Sequence, residues 1–185
     1  MIFDLKSYYG TVLVESLSKS YGYRNKMEVP RLLKVVINRG VGAATSNAKL
    51  IEQTMDQMWS LTGQKPLLTR AKKSISNFKL REGQIIGCKV TLRRDRMWHF
   101  VSKLFNVGLP KIRDFRGVPT NSFDGRGNYT LGIKVDDIFA ETENESGQLM
   151  GFDISFVTTA KTDDEAYKLL AGLGMPFRKS VERKS

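Results

Sequence analysis

The lysine and arginine side chains of one stretch, residues 63–94, are the groups in this sequence most able to do chemistry. The stretch carries a net charge of +8, out of +11 for the 185-residue chain. Its one acid is Glu82, and its nine bases are Lys65, Arg70, Lys72, Lys73, Lys79, Arg81, Lys89, Arg93 and Arg94. Positive charge concentrated in this way is typical of a surface that binds a polyanion. Nucleic acid and an anionic membrane are the two candidate ligands.

Catalysis would need a nucleophile with its base, paired carboxylates or a set of metal ligands. The chain has one cysteine and one histidine, which excludes an intrachain disulfide and a cysteine-based zinc site. Cys88 falls on the apolar face of a predicted strand, where a thiol is usually inert, and His99 has no second ligand near it. A nuclease built from carboxylates and two metal ions is the alternative. We predict no enzyme, no metal and no cofactor.

An anionic membrane is the weaker of the two ligands. No apolar run approaches the about 18 residues that a spanning helix needs, and the bases lie beside a predicted strand rather than along an amphipathic helix. The N-terminal residues, MIFDLKSYYG, lack the features of a secretory signal. With 41% hydrophobic and 10% aromatic residues the chain can form a core. We therefore predict a folded nucleic-acid-binding protein in a reducing compartment, without a membrane partner.

The basic stretch divides into three parts that must position its charges. Residues 66–69 are predicted to form a short apolar strand. Residues 70–83 are predicted to form a long polar loop without regular structure, and such a loop is usually functional or disordered. Residues 84–94 alternate, which predicts a strand with two different faces. Its inner face would carry Ile86, Cys88, Val90 and Leu92, and its outer face Lys89, Thr91 and Arg93.

Hydrophobic spacing predicts the remaining elements. Residues 32–38 form a nearly continuous apolar run, which suits a strand buried on both faces. Asp95 is the predicted cap of one helix, and residues 162–165 read as a capping box that opens another. The predicted helices are 3–17, from Ser46 or Asn47 to Gly63, 95–107, and 163–171; the further strands are 128–135 and 151–159.

This order of elements contains a β-α-β-β-α-β pattern, and it predicts an α+β fold. We expect a ferredoxin-like, RRM-like split βαβ sheet with helices packed on one face, an extra N-terminal helix, and long basic and acidic loops. The other face would be open for ligand. Gly40-Val41-Gly42 follows the first strand, but the third glycine of a dinucleotide fingerprint is Thr45 here, so we predict a tight turn, either structural or close to a ligand.

Two loops stay open to more than one interpretation. In residues 111–127, Phe115 and Phe123 alternate with arginines, which fits either an interaction loop or an ordered loop that its two phenylalanines pin to the core. Residues 136–146 carry five acids and no base, as a solvated loop does. The residues from Arg178 onward are polar, and we expect them to be frayed.

The motif GQKPLLTRAKKSISNFKLREGQIIGCKVTLR at 63–93 resembles the central motif of the universal large-subunit ribosomal protein five family, the 5S ribosomal RNA-binding proteins. Four further motifs agree with it in order: MEVPRLLKVVINRGVG at 27–42, PKIRDFRG at 110–117, SFDGRGNY at 122–129 and TTAKTDDEA at 158–166. The resemblance implies one RNA-binding ribosomal domain, residues 1–179, followed by a polar flexible tail, residues 180–185. The acidic segment and the tail depart from the family pattern.

The resemblance also implies partners and sites. The partners are 5S ribosomal RNA, the large-subunit ribosomal RNA, peptidyl-site transfer RNA, and neighbouring ribosomal proteins, including a head protein of the small subunit. Arg39 stands where bacterial members commonly carry methionine, and we expect it to add charge at the RNA face. The residues expected to bind 5S ribosomal RNA at the central protuberance are Asn38, Arg39, Gly40, Gly42, Gln64, Lys89, Thr91 and Arg93.

Two loops are implied to make the other contacts. The loop expected to reach transfer RNA carries Arg70, Lys72, Lys73, Ser74, Ile75, Phe78 and Lys79. The loop expected to meet the small subunit carries Lys111, Arg113, Asp114 and Arg116. We expect the protein to work in translation in the cytoplasmic ribosome of a bacterium, with an organellar ribosome as the alternative.

Overall fold

Five antiparallel strands form one sheet in the computed structural model, which describes residues 4–42, 48–134, 138–139 and 151–178. The spatial order is β2-β3-β1-β5-β4. The strands are β1 Leu32–Gly40, β2 Leu67–Arg70, β3 Ile85–Leu92, β4 Tyr129–Ile133 and β5 Phe152–Thr158.

Four helical segments and two 3₁₀ turns complete the described secondary structure. Two of the helical segments contain a π-helical turn, which interrupts the regular hydrogen bonding. Segment α1 comprises Leu5–Tyr8, the π turn Tyr9–Leu13 and Val14–Tyr21; α2 is Ala48–Thr62; α3 comprises Arg94–Lys103, the π turn Leu104–Gly108 and Leu109–Lys111; α4 is Asp163–Gly172; and the 3₁₀ turns are Lys26–Glu28 and Ser76–Phe78.

The predicted split βαβ arrangement is confirmed. Strands β1 and β2 run in the same direction, because each pairs antiparallel with β3, and β3 lies between them. Helix α2 crosses from β1 to β2 and packs against β3. Strand β5 pairs with the other side of β1, so β1 is central, and β4 adds a fifth strand at the edge. The fold is α+β with helices packed on the sheet.

The core lies between the sheet and its helices. Val35 and Ile37 of β1 are fully buried there, and Val90 and Leu92 of β3 lie beside them. The prediction that β1 is buried on both faces is wrong: Leu33 is 39% exposed and Val36 is half-buried. Some apolar side chains of β1 therefore pack under the helices, and others lie on the face that no helix covers.

The first turn of α3 differs from its prediction. Asp95 does not cap this helix; Arg93 occupies the cap position without a side-chain bond to the backbone. Instead, Asp95 Oδ1 lies 2.7 Å from Lys6 Nζ and joins α3 to the start of α1. Asp4 performs the capping role in α1, where its carboxylate accepts from the backbone N–H groups of Lys6 and Ser7.

The predicted capping box of α4 is found with one difference. Thr162 Oγ1 accepts a hydrogen bond from the backbone N–H of Glu165 at 3.4 Å. The Glu165 carboxylate reaches back to the backbone N–H of Lys161 at 2.8 Å, one residue before the expected partner. Both ends of the box thus satisfy N–H groups at the start of the helix.

The same helix also orders the loop that leads into β4. The carboxylate of Asp163 accepts from the backbone N–H of Gly125 at 3.1 Å and from that of Gly127 at 2.9 Å. Gly127 has a φ of +78°, and a Cβ there would lie 2.8 Å from Ala160. This loop is therefore closely packed against the turn that follows β5.

Several predictions fall on residues outside those described. They are the helix start at Ser46 or Asn47, the end of the strand at 135, the five acids of 136–146 and the tail after Arg178. Of the acidic segment only Ile138 and Phe139 are described, and both are buried. No helix in the described ranges is long and apolar enough to cross a membrane.

Replacing Gly127 by alanine should destabilise the fold more than replacing Gly125. Both glycines have a φ near +80°, so both variants carry the cost of a left-handed backbone, about 1–2 kcal/mol. Only Gly127 also meets Ala160, and overpacking adds about 1–3 kcal/mol to the loss in free energy of unfolding. Urea denaturation of the two variants tests this. Equal losses would show that the close approach has no energetic consequence.

Candidate nucleic-acid interface

The face of the sheet that the helices leave uncovered is the candidate interface, and strand register defines its rows. Across β3 and β1, Lys89 lies beside Asn38, and Thr91 lies beside Val36. Lys89 and Asn38 are exposed, and Thr91 is half-buried. Arg93 follows the end of β3 and is exposed. The predicted outer face of β3 is therefore confirmed.

Gln64 joins this group from a distant part of the chain. Its side-chain Nε2 donates a hydrogen bond to the backbone carbonyl of Thr91 at 3.3 Å. The residue follows Gly63, whose φ of +64° ends α2 as predicted. Helix α2 crosses behind the sheet and ends beside β3, and this places Gln64 next to Thr91 at the edge of the open face. The two residues are 27 positions apart in the sequence, so only the fold brings them together.

Arg39 does not lie on the open face. Its side chain is 2% exposed and points to the helix side, because it neighbours Asn38 on a strand and successive residues point to opposite faces. Its Nη1 donates to Gln57 Oε1 of α2 at 2.8 Å. The prediction that Arg39 adds charge at the RNA face is wrong for this geometric reason.

The turn after β1 places two glycines at the surface around one buried residue. Gly40 and Gly42 are exposed, whereas Val41 is 2% exposed and forms a small second core with Leu50 and Ile51. The backbone N–H of Val41 donates to the carbonyl of Ile86 at 2.8 Å. Anchoring of Val41 thus fixes the backbone of the two exposed glycines on either side of it.

The long basic loop is structured by its own backbone. It continues the β2–β3 pair as a hairpin, in which the N–H of Ala71 donates to Gln84 and the N–H of Gly83 donates to Ala71. Further out, Ile75 and Leu80 exchange two hydrogen bonds of 2.9 and 3.1 Å. The expectation of a structureless loop is therefore wrong.

Charge and one aromatic ring are exposed at the tip of this hairpin. Phe78 is 73% exposed and Ile75 is 42% exposed. Lys72, Lys73, Ser74 and Lys79 are also exposed, whereas the guanidinium of Arg70 donates to the carbonyl of Gly83 at 3.0 Å and supports the hairpin. An exposed ring among lysines suits a ligand that offers both phosphates and stackable bases.

The loop after α3 combines the two interpretations that its sequence left open. Phe123 packs against Tyr129 and Phe177, with ring centroids 4.8 and 6.1 Å apart, and Phe115 packs against the core. The phenylalanines therefore pin the loop. Its charged side chains nevertheless stand exposed, as an interaction loop requires: Lys111, Arg113, Asp114 and Arg116.

The candidate nucleophile does not lie on this interface. Cys88 is 1% exposed on the helix side, its Sγ lies 3.1 Å from Met58 Sδ, and burial raises the pKa of its thiol to about 11. A thiol with this pKa is protonated at neutral pH and is a poor nucleophile. Within the described ranges, no three His, Cys, Asp or Glu side chains come together as a metal site.

The open face continues onto two strands whose residues the sequence did not single out. Asp153 of β5 lies beside Asn38, and Ser155 lies beside Val36. The hydroxyls of Ser155 and Thr130 are 3.1 Å apart. The alternation of polar residues with Phe152, Ile154 and Phe156 was a signal that could have placed these side chains on the same face as Asn38.

Comparison with known proteins gives matches along most of the chain. A family model described as ribosomal protein L5 matches residues 25–81, and one described as the C-terminus of the ribosomal L5P family matches residues 85–177. The large ribosomal subunit protein uL5 of Acholeplasma laidlawii is 55% identical over 94% of this chain and 97% of its own. The uL5 protein of Clostridium acetobutylicum is 54% identical over 96% of this chain and 99% of its own.

The uL5 protein of Moorella thermoacetica is likewise 55% identical, over 94% of this chain and 97% of its own. The two family models adjoin on the chain, and together they include the open face, the basic hairpin and the pinned loop. The chain therefore belongs to the ribosomal protein L5 family, whose members are structural, non-enzymatic proteins.

Proposed function

We propose that this protein binds 5S ribosomal RNA with the open face of its sheet and helps attach that RNA to the central protuberance. As a member of its family it is a structural constituent of the large ribosomal subunit. The observation that carries the proposal is the exposed row of Lys89 and Asn38, flanked by Thr91 and Arg93, on a sheet whose other face is covered by helices.

Two exposed bases of this surface, Lys89 and Arg93, would bind phosphates. Lys89 is exposed on β3, and Arg93 is exposed just after its end, where the backbone is still extended. The two residues are four positions apart, so about 13 Å separates their backbones. Cations that neutralise phosphates release counterions, and this release favours binding. Such contacts position the protein on RNA without reading its sequence.

The uncharged groups of the surface would supply specificity. The Asn38 amide can donate and accept, and the Thr91 hydroxyl can do the same. At the end of β1, the backbone of Gly40 and Gly42 can approach a ligand closely because no side chain intervenes. Groups held at fixed spacing by a sheet recognise the shape of folded RNA and its 2′-hydroxyl groups.

The basic hairpin is the part that we assign to peptidyl-site transfer RNA. Its tip projects from the β2–β3 end of the sheet, and its exposed lysines flank Phe78 rather than the polar row of the open face. Backbone hydrogen bonds hold the hairpin, so it can reach a second ligand as a formed arm. The separation of the two surfaces supports two different RNA partners.

The pinned loop after α3 is the part that we assign to the small-subunit head protein. Its Asp114 lies between Arg113 and Arg116, so this surface carries both signs of charge and suits a protein partner more than a phosphate backbone. The large-subunit ribosomal RNA and neighbouring ribosomal proteins would cover other parts. The relatives reported above come from bacteria, which favours a bacterial cytoplasmic ribosome over an organellar one.

The purified protein should bind 5S ribosomal RNA at least tenfold more tightly than an unrelated structured RNA of equal length. The open face offers hydrogen-bonding groups at fixed positions, and these discriminate between RNA shapes where charge alone does not. Filter binding of both RNAs at matched salt measures the difference. Equal affinities would leave only a basic protein without the proposed specificity.

Replacing Arg93 or Thr91 by alanine should weaken binding to 5S ribosomal RNA while the fold is kept. Loss of the phosphate contact in Arg93→Ala should lower the salt slope of log K by about 0.7–0.9, whereas Thr91→Ala should leave that slope unchanged. Arg39→Met removes the same charge from the buried side, so it is the matched control and should leave the slope unchanged. A drop in slope for Arg39→Met equal to that for Arg93→Ala would contradict the assignment of faces.

Neutralising Lys72 and Lys73 together, as Lys72→Gln/Lys73→Gln, should barely change affinity for isolated 5S ribosomal RNA, because both lie on the hairpin beyond the end of β2 and away from the open face. The variant should still enter the large subunit but hold peptidyl-site transfer RNA less well. Salt-dependent binding and transfer RNA retention on reconstituted ribosomes measure the two effects. A fall of about 1.5 or more in the salt slope on 5S RNA would mean that these lysines contact it directly.

A further inference from the structure

One carboxylate lies on the surface that we assign to RNA. Asp153 of β5 occupies the same row as Lys89 and Asn38, next to Asn38 on one side and Gly132 of β4 on the other. The residue is exposed. To the other described residues its carboxylate makes neither a hydrogen bond nor an ion pair.

This position calls for a physical reason, because a carboxylate repels phosphates. Strands lie about 4.8 Å apart in a sheet, so the backbone of Asp153 is about 10 Å from that of Lys89, within the reach of one RNA segment. The carboxylate is a pure acceptor and binds only groups that donate N–H or O–H. In RNA such donors are the amino and imino groups of bases and the ribose 2′-hydroxyl.

Next to this carboxylate the surface forms a groove of about 570 Å³. The groove lies where β4 ends and β5 begins, next to the end of β1. Its lining residues are Gly40, Gly132, Ile133, Lys134, Gly151, Phe152 and Asp153. A Cβ on Gly132 would lie 3.4 Å from Asp153 Oδ1, so the carboxylate rests over a residue that has no side chain. The glycines leave room for a ligand to reach the carboxylate edge-on.

We propose that this groove is a subsite for a single nucleotide of the bound RNA, and that Asp153 accepts hydrogen bonds from the donor edge of its base or from its 2′-hydroxyl. Lys134 stands at the rim, exposed, where it can neutralise the phosphate of the same nucleotide. The hydroxyls of Ser155 and Thr130 continue the uncharged part of the face beside it. This inference rests on the proposed binding of 5S ribosomal RNA.

The contrary role for Asp153 predicts effects of opposite sign. If the carboxylate only marked the border of the RNA surface by repelling phosphates, its removal would strengthen binding and steepen the dependence on salt. If it accepts hydrogen bonds from the RNA, its removal weakens binding and leaves the phosphate contacts, and hence the salt slope, as they were.

The test is the affinity of full-length Asp153→Ala and Asp153→Asn for 5S ribosomal RNA at several salt concentrations. We expect Asp153→Ala to bind about tenfold more weakly or worse, as expected for the loss of hydrogen bonds to a charged acceptor. Asp153→Asn keeps one acceptor and should lose less. Asp56→Asn, an exposed acid on α2 behind the sheet, is the charge-matched control and should change little. Unchanged or tighter binding by Asp153→Ala would overturn the subsite.

Modification interference separates the two donors. Pools of 5S RNA with inosine in place of guanosine lose the base amino group, and pools with 2′-deoxynucleotides lose the hydroxyl. The wild type should show interference at one position that disappears in Asp153→Ala; inosine interference identifies a base edge, and deoxy interference identifies the ribose. Identical interference in the two proteins, together with unchanged affinity of Asp153→Ala, would overturn the subsite. Arg93→Ala separates failure of the subsite from failure of the proposed function. If Arg93→Ala binds 5S ribosomal RNA as tightly as the wild type, the open face does not bind this RNA.

Discussion

Burial of every second residue of the central strand against the helices is the constraint on which the other features depend. Val35 and Ile37 of β1 are fully buried, and β3 and β5 fix their register from both sides. A slip of one residue would exchange the two faces and bring Asn38 into the core. The same hydrophobic packing that stabilises the fold therefore decides which polar groups meet a ligand.

The sequence allowed β3 to be predicted more fully than β1. Strand β3 alternates between apolar and polar residues, so its faces could be assigned. In β1 the run of apolar residues hides the alternation, since an exposed aliphatic side chain such as Leu33 costs little. Arg39 was misplaced for a related reason: its charge suggested the surface, but a strand with Asn38 outside must turn Arg39 inside, where Gln57 accepts a hydrogen bond from it.

Contacts between distant residues account for most of what the sequence did not reveal. Asp95 was expected to cap its own helix, yet it pairs with Lys6, 89 residues earlier. Asp163 was recognised as part of a capping box, but its carboxylate also holds the backbone of Gly125 and Gly127. Local patterns identify groups that can form hydrogen bonds, whereas the choice among partners is made by the packing of the whole chain.

The charge of residues 63–94 is divided between surfaces, and this changes what each surface can do. On the open face β3 contributes only Lys89, with Arg93 at its end. Arg70 supports the hairpin, and Lys72, Lys73 and Lys79 are exposed along it. Lys89 and Arg93, with Lys134 at the rim of the groove, give the sheet only a small salt-dependent contribution to binding. The affinity of the sheet for RNA must then come mainly from hydrogen bonds made by groups at fixed positions. These bonds form only with an RNA of matching shape, whereas the hairpin can bind RNA through charge and stacking.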